Sequence, residues 1–489
     1  MEHKPFISIV IPTRDRHETL FFTLQTILNQ DFDNYEIIVS DNNSSTDTKK
    51  VIEKINSNKI KYVRSDIDLS LCDSWEQAVS SARGEYIMGI ADNDGLIQGG
   101  LKYLETILKI NNYPKLINFI KNTYHWPCLE EDIRNTLFLN KNPALKFVDG
   151  IKLIKDVLDN NKLFYKLPMI YNSIVHNSLI NKMKEKTNRI FNAGTADVYS
   201  GFCLAYLTKK YLLLTNPVTI SGNSAKSLGV NYSRNNNEII KRETKAREKS
   251  QIKLNPIIPN VISGSAHIVD CFLQAKENLN ISDINIDRKK LMEDILLDIH
   301  IFEEVLLIEC EKKIINCCSD NAELLDFTYS LLKKYPLKIK NKIKTQIIYG
   351  FNKNNLILNG YNFNIHNILD VSNFMHKFYN YTLNTVSFPD ITTDISYFEE
   401  NTELSIWGNG NVGKDCQKWI NKIRPDIKIS YIINSFSEDK KATPEIIKPS
   451  NIPNNINYII IASSFMEEIS NTIIELGLNK KHKILKYYE

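Results

Sequence analysis

No stretch of this 489-residue chain reaches the roughly 18 uninterrupted apolar residues that a membrane-spanning helix needs. The first residues, Met1-Glu2-His3-Lys4-Pro5, run straight into a strand-like block around Ser8. They carry neither the apolar core nor the cleavage site of a secretory signal. The expectation is a cytoplasmic protein. An excess of charge of one sign is also missing. Lys and Arg total 61 against 57 Asp and Glu, and the net charge of +4 is too small to argue for nucleic acid. The eight cysteines are scattered, only Cys317 and Cys318 are adjacent, and no C-x-x-C pair occurs. That excludes the usual spacings of a zinc site or a disulfide framework and leaves reduced, mostly buried thiols. No internal repeat is evident. What remains is an ordinary globular composition, 43% hydrophobic and 24% charged. The length predicts about two to four domains.

Residues 6–120 alternate strand and helix signals. Apolar runs at 6–11, 36–40, 60–63, 86–91 and 116–120 are separated by helical spacing, as at Leu20, Phe21, Leu24, Ile27 and Leu28. Short strands alternating with helices predict a mostly parallel, helix-covered sheet whose ligands sit at the carboxyl ends of its strands. Residues 235–253 are polar and charged, with Lys241, Arg242, Lys245, Arg247 and Lys249 interrupted by Glu243 and Glu248. This is a solvated helix face or a membrane-surface or phosphate contact. Beyond it, residues 288–312 carry Leu291, Ile295, Leu296, Ile299, Phe302, Val305 and Leu306 at helical spacing. The region predicts helices and holds no chemistry-bearing motif. From residue 403 a small α/β unit follows.

Three loops of the first unit fall at strand ends. They are Pro12-Thr13-Arg14-Asp15-Arg16, Asp41-Asn42-Asn43-Ser44-Ser45-Thr46-Asp47 and Asp92-Asn93-Asp94-Gly95. Each alone reads as a turn or a helix cap. In a parallel sheet they share one edge and can converge. Two Asp residues flanking one residue after a buried strand can offer hard oxygen ligands to Mg²⁺ or Mn²⁺. Such a cation neutralises charge that develops on a departing diphosphate.

These segments resemble glycosyltransferase family 2, the inverting enzymes of the GT-A fold. The resemblance runs through Ser8-Ile9-Val10-Ile11-Pro12-Thr13-Arg14, then Val39-Ser40-Asp41-Asn42-Asn43-Ser44-Ser45, then Asp73-Ser74-Trp75 and Ala82-Arg83-Gly84-Glu85-Tyr86, to Asp92-Asn93-Asp94. It covers roughly the first 110 residues. It implies that Pro12, Thr13 and Arg14 line a nucleotide pocket and that Asp41 binds the base. Arg83 and Gly84 would lie near the donor's phosphates or sugar. Asp92 would face the ribose or the metal, and Asp94 would hold the metal. Asn93 stands where many relatives have a third Asp.

Inversion needs one general base facing the acceptor. Asn192-Ala193-Gly194-Thr195-Ala196-Asp197-Val198-Tyr199-Ser200 resembles a stretch of one branch of the family, which makes Asp197 the candidate. The plainer alternative is that Asp197 only caps the helix that follows. His125 and His176 are weaker candidates, since nothing nearby supports them. The polar residues 221–227 resemble a loop of the same branch that closes over the site.

Gly408-x-Gly410-x-x-Gly413 follows a strand and opens a helix, as a dinucleotide fingerprint does. About 20 residues on, where the fingerprint wants an acid, the chain has Asn434, with Ala462-Ser463-Ser464 beside the same crevice. NAD or another nucleotide, or a purely structural role, both fit. The unit resembles Rossmann-like domains appended to bacterial polysaccharide-biosynthesis proteins. The reading is therefore an α/β chain in three parts: a GT-A domain (1–235), a mainly helical middle (236–400) and a small Rossmann-like domain (401–489). The resemblance implies transfer from a nucleoside diphosphate sugar to a glycan or lipid-linked glycan, in capsule or O-antigen synthesis. It leaves room for a peripheral contact at the inner face of the membrane. The alternatives are an NAD-dependent sugar-nucleotide enzyme run from the C-terminal domain, and a non-catalytic binding protein.

Overall fold

In a computed structural model of the protein, the described residues are 4–44, 46–130, 133–140, 144–160, 162–227, 252–299, 305–338, 347–351, 355–379, 389, 398–435 and 444–487. The basic residues 241–249 and the domain boundary expected at 235 lie outside them.

The described residues of the N-terminal unit form twelve strands in order: β1 (Ile7–Thr13), β2 (Tyr35–Asn42), β3 (Ile60–Ser65), β4 (Tyr86–Gly89), β5 (Gly95–Leu96), β6 (Leu116–Phe119), β7 (Asn122–His125), β8 (Thr136–Asn140), β9 (Leu145–Asp149), β10 (Ser173–His176), β11 (Lys210–Leu214) and β12 (Thr219–Asn223). Eight form the main sheet, in the order β3-β2-β1-β4-β10-β6-β11-β9. β1 to β4 are parallel, as their continuous apolar runs predict. Ile7, Ile9, Val10 and Ile11 have no exposed surface. Alternate residues serve opposite faces. Ile7, Ile9 and Ile11 pack with Leu20, Leu24 and Ile27 of helix His17–Leu28. Val10 and Ile38 pack with Trp75, Ala78 and Val79 of helix Leu71–Ser80. The sheet is more mixed than expected. After a long excursion the chain returns as β10, which inserts antiparallel between β4 and β6, and β9 adds an antiparallel edge.

A second sheet, in the order β13-β14-β8-β7-β12-β5, takes two strands from the middle region, β13 (Gly350–Phe351) and β14 (Asn355–Asn359). β14 pairs antiparallel with β8, from Asn355 opposite Asn140 to Asn359 opposite Thr136. Helix Ile368–Tyr379 then covers this sheet, burying Ile368, Val371 and Met375 against Tyr124, Leu139 and Ile97. The Ser372 hydroxyl donates to the Leu96 carbonyl at 2.7 Å. The middle region is therefore not a unit apart: residues 350–351 and 355–379 are built into the N-terminal domain. Its remaining helices are as expected. Gly264–Leu279, Arg288–Asp298 and Ala322–Lys334 are capped by the side chains of Ser263, Asp287 and Asn321.

The C-terminal unit is a five-stranded parallel sheet, β17-β16-β15-β18-β19. Its strands are β15 (Glu403–Trp407), β16 (Lys428–Ile433), β17 (Glu445–Ile447), β18 (Tyr458–Ile461) and β19 (Lys483–Lys486). It rests on the N-terminal domain through Ile110, which packs among its apolar residues, and through an Asn479 side-chain bond to the Ile110 carbonyl at 3.4 Å. A chain lacking residues 403–489 is expected to fold, because both N-terminal sheets stay complete. A chain ending before residue 350 should lose cooperative unfolding, since it strips β14 and helix Ile368–Tyr379 from an apolar face. Thermal melts followed by circular dichroism separate the two. Equal, cooperative melting of both truncations would show that residues 350–379 are dispensable.

Candidate active site

The register sets the site. Thr13, the last residue of β1, lies opposite Asp41 near the end of β2. The chain leaving β4 brings Asp92-Asn93-Asp94 to the same edge. Asp92 is 3% and Asp94 2% exposed, so each must find polar partners within the protein. Asp92 accepts from the Thr13 hydroxyl at 2.8 Å and from Arg16 at 2.9 Å. Asp94 accepts from the Gly222 backbone N–H at 2.8 Å and from the Lys121 ammonium at 2.5 Å. The Thr23 hydroxyl, 2.6 Å from the Asp94 carbonyl, fixes the turn from helix His17–Leu28. Asn93 faces other partners, donating to the hydroxyls of Ser224 and Ser227 at 3.2 and 2.8 Å. The middle position thus holds a loop and not the carboxylates' partners.

That loop is residues 221–227, which continue from β12 over the acidic turn. Arg16 donates to the Lys226 carbonyl at 2.5 Å, and the Lys226 ammonium reaches the Asp15 carbonyl at 2.8 Å. Gly222 is where contact is tightest. A Cβ there would stand 1.7 Å from the Asn93 carbonyl oxygen. Gly222→Ala must push the loop off Asp94, and the expected result is a melting temperature lowered by several degrees, a cost of about 1–3 kcal/mol. An alanine variant with unchanged melting would show that the loop is not seated on the acidic turn.

Asp41 has no exposed surface. One oxygen accepts the Ser44 backbone N–H at 2.8 Å, and the other accepts from the Tyr62 hydroxyl at 2.5 Å and Arg64 at 2.9 Å. Burial, with Asp41 beside it, pushes the Tyr62 phenol up to about 12. Pro12 pairs with Ser40 across the strands, and Arg14 meets Asp68 at 2.8 Å. A cleft of about 590 Å³ opens on the β3 side, lined by Ser65, Ile67, Leu69, Asp73, Glu76 and Arg189 among others; it does not include Asp92 or Asp94.

Arg83 and Gly84 are not brought to this cluster. The Gly84 amide donates to the Ser8 hydroxyl at 2.7 Å, and the Arg83 amide to Glu36 at 2.7 Å. Ser8 and Glu36 start β1 and β2, so this is the opposite edge of the sheet. The five residue steps from Ser8 to Thr13 span about 16 Å. The expected phosphate role gives way to a structural one. A Cβ on Gly84 would come within 2.6 Å of the Ser8 amide nitrogen.

Asp197 lies in the first turn of helix Ala196–Thr208, whose cap residue is Thr195. Asp197 is therefore not the N-cap, although its carboxylate accepts the Val198 amide at 2.9 Å. The residue keeps some accessible surface, yet burial of its carboxyl raises the pKa, opposed by that amide and by the charge of Lys121. The Lys121 ammonium sits 4.4 Å from the centre of the Tyr171 ring. Both Asp197 and Asp94 add to the burial that raises the Tyr171 phenol. Asp94, Lys121, Tyr171 and Asp197 are thus electrostatic neighbours. Neither histidine belongs to this group. His125 pairs with the Ile133 carbonyl, and His176 caps helix Asn177–Thr187 and faces Glu85 at the other edge.

Sequence reading missed Lys121 and Tyr171, and it gave Gly222 no role of its own within the loop 221–227. Lys121 had a signal: it follows the fifth apolar run, and β6 is aligned with β4 because both pair antiparallel with β10.

In the C-terminal unit the glycine loop opens helix Asn411–Ile423 as the fingerprint predicts. Gly408 has φ +142°, and a Cβ there would strike the Ala462 carbonyl at 2.0 Å. Gly413 likewise faces the Gly408 carbonyl at 2.0 Å. Close backbone packing accounts for both glycines, and nothing supports NAD.

Residues 8–173 match the family model described as glycosyl transferase family 2. This segment, about a third of the chain, carries the likeness to family 2 glycosyltransferases. The GT-A-like sheet, with the acidic turn after β4, agrees with it. A putative colanic acid biosynthesis glycosyl transferase, WcaA, of Escherichia coli K12 is 34% identical over 96 residues, 19% of this chain and 34% of that protein. A GalNAc(5)-diNAcBac-PP-undecaprenol beta-1,3-glucosyltransferase of Campylobacter jejuni is 35% identical over 103 residues, 20% of this chain and 33% of that protein. The chain spans about a third of the length of these curated relatives. The solved structure of S. aureus TarS 1–349 with UDP-GlcNAc aligns at a TM-score of 0.40 and 12% identity, over 68% of this chain and 91% of that one, a likeness too loose to argue from.

Proposed function

We propose that the protein transfers a sugar from a nucleoside diphosphate sugar to an acceptor hydroxyl, with inversion, in the synthesis of a bacterial surface glycan. The observation that carries this is the meeting of Asp92 and Asp94 at one sheet edge with Asp197 close by, inside a family 2 domain. The buried carboxylates suit Mg²⁺ or Mn²⁺, with donor phosphates supplying further oxygens. When bound, such a cation offsets charge on the departing diphosphate. The chain's own residues do the rest. Thr13 and Arg16 hold Asp92 in place, and the Gly222 amide holds Asp94. Asp41 anchors the turn beside a nucleotide base and is a candidate to bind it. Asp197 takes the acceptor proton, since its carboxylate is not committed to the acidic turn.

The name of the Campylobacter jejuni relative supports a lipid-linked glycan acceptor, and the proposal sets the reaction at the inner face of the membrane. Among the described residues no helix is long and apolar enough to cross a membrane, and the contact proposed is a peripheral one. The test is a panel of nucleoside diphosphate sugars with Mn²⁺ and lipid-linked or free saccharide acceptors. Nucleoside diphosphate release is measured, and the anomeric configuration of the product is read by NMR. An inverted linkage is expected. A retained one would exclude direct displacement, and no release from any donor would leave a binding protein.

A further inference from the structure

The reading so far gives Lys121 no task, yet it is the most deeply placed cation of the cluster. Its side chain is 9% exposed, which is rare for a lysine without a partner. Asp94 Oδ2 lies 2.5 Å from the ammonium, and the Tyr171 ring centre lies 4.4 Å away. The second oxygen of Asp94 is taken by the Gly222 amide. Asp92 is paired in the same way with Arg16 at 2.9 Å. Each carboxylate of the acidic turn is thus already matched by a protein cation at the place where a divalent cation would bind, and Asp197 stands beside them as a third carboxylate.

We propose that Lys121 is a built-in competitor for Asp94: it keeps cation affinity low in the nucleotide-free protein, and a cation carried in on a diphosphate displaces it. This rests on the reading of Asp92 and Asp94 as the cation's protein ligands. The physical argument is a charge balance. A free divalent cation arriving at two carboxylates that are already ion-paired must evict a buried ammonium and gains little from the exchange. A diphosphate brings negative charge that pairs with the cation and with the released ammonium together. The Tyr171 ring gives that ammonium a face to remain on once Asp94 is taken. The consequence is an order of binding. Donor and cation arrive together, and the cation does not occupy the site alone.

The experiment uses the full chain and Mn²⁺ as probe. Free Mn²⁺ is counted from its electron paramagnetic resonance signal, first without nucleotide and then with a panel of nucleoside diphosphates. Wild type, Lys121→Met, Lys121→Arg and Asp94→Asn are compared, with melting curves on the same samples. Wild type and Lys121→Arg are expected to bind Mn²⁺ weakly without nucleotide. Lys121→Met should bind about tenfold tighter or more, because Asp94 loses its counter-ion. Lys121→Gln is the second neutral variant should Lys121→Met not fold. Equal affinity in wild type and the neutral variants, with binding lost in Asp94→Asn, overturns the competition and leaves the cation reading standing. Absence of Mn²⁺ binding in every chain, with every nucleotide, overturns both.

Discussion

Asp94→Asn should lower sugar transfer by at least about 10²-fold and abolish the Mn²⁺ dependence of nucleotide binding, without unfolding the protein. Asparagine preserves shape and keeps an oxygen for the Gly222 amide, which Asp94 now accepts at 2.8 Å. What it removes is the charge that faces Lys121 and that would hold the cation. Some stability is lost, because a buried ammonium is left without its counter-ion. The measurement is transfer rate, Mn²⁺-dependent nucleotide affinity and melting temperature on one preparation. Near-normal transfer in the presence of Mn²⁺ would remove Asp94 from the cation site.

Asp197→Asn should lower turnover by roughly 10²–10⁴-fold with donor affinity nearly unchanged. The carboxylate is not the helix cap, so the substitution keeps Thr195 in that place and costs little stability. The pH profile adds a second readout. A base works only when deprotonated, and burial raises the Asp197 pKa. Wild-type turnover is therefore expected to fall with decreasing pH, at a midpoint above the ordinary carboxylate range. That acid limb should vanish from the residual activity of Asp197→Asn. Unchanged turnover would return Asp197 to a structural role in the first helical turn.

The strands that build the site were legible because each is buried on both faces and reads as an unbroken apolar run. The residues at or just past their carboxyl ends, Thr13, Asp41, Asp92 and Asp94, could then be assigned to one edge from topology alone. The same logic explains the failure at Arg83 and Gly84. They precede β4, and in a parallel sheet the residues before a strand lie at the edge opposite those after it. Motif resemblance set them beside the donor, whereas register sets them beside Ser8 and Glu36. β14 was not legible. Asn355-Leu356-Ile357-Leu358-Asn359 is short, and its partner β8 lies more than two hundred residues earlier in the chain. No local period reports a pairing that distant. Lys121 was visible only as the residue after an apolar run, and its importance appears once Asp94 is seen to face it.

The most direct test of the central claim is a thermal-shift series of nucleoside diphosphates with and without Mn²⁺, on wild type and Asp94→Asn. The account predicts that one nucleotide, at about 100 times its dissociation constant, stabilises wild type by roughly 2.7 kcal/mol. The effect should need Mn²⁺ and should be lost in Asp94→Asn. If no nucleoside diphosphate shifts the melting of wild type with Mn²⁺ present, or if the shift persists in Asp94→Asn, the edge formed by Asp92 and Asp94 is not a metal-dependent donor site.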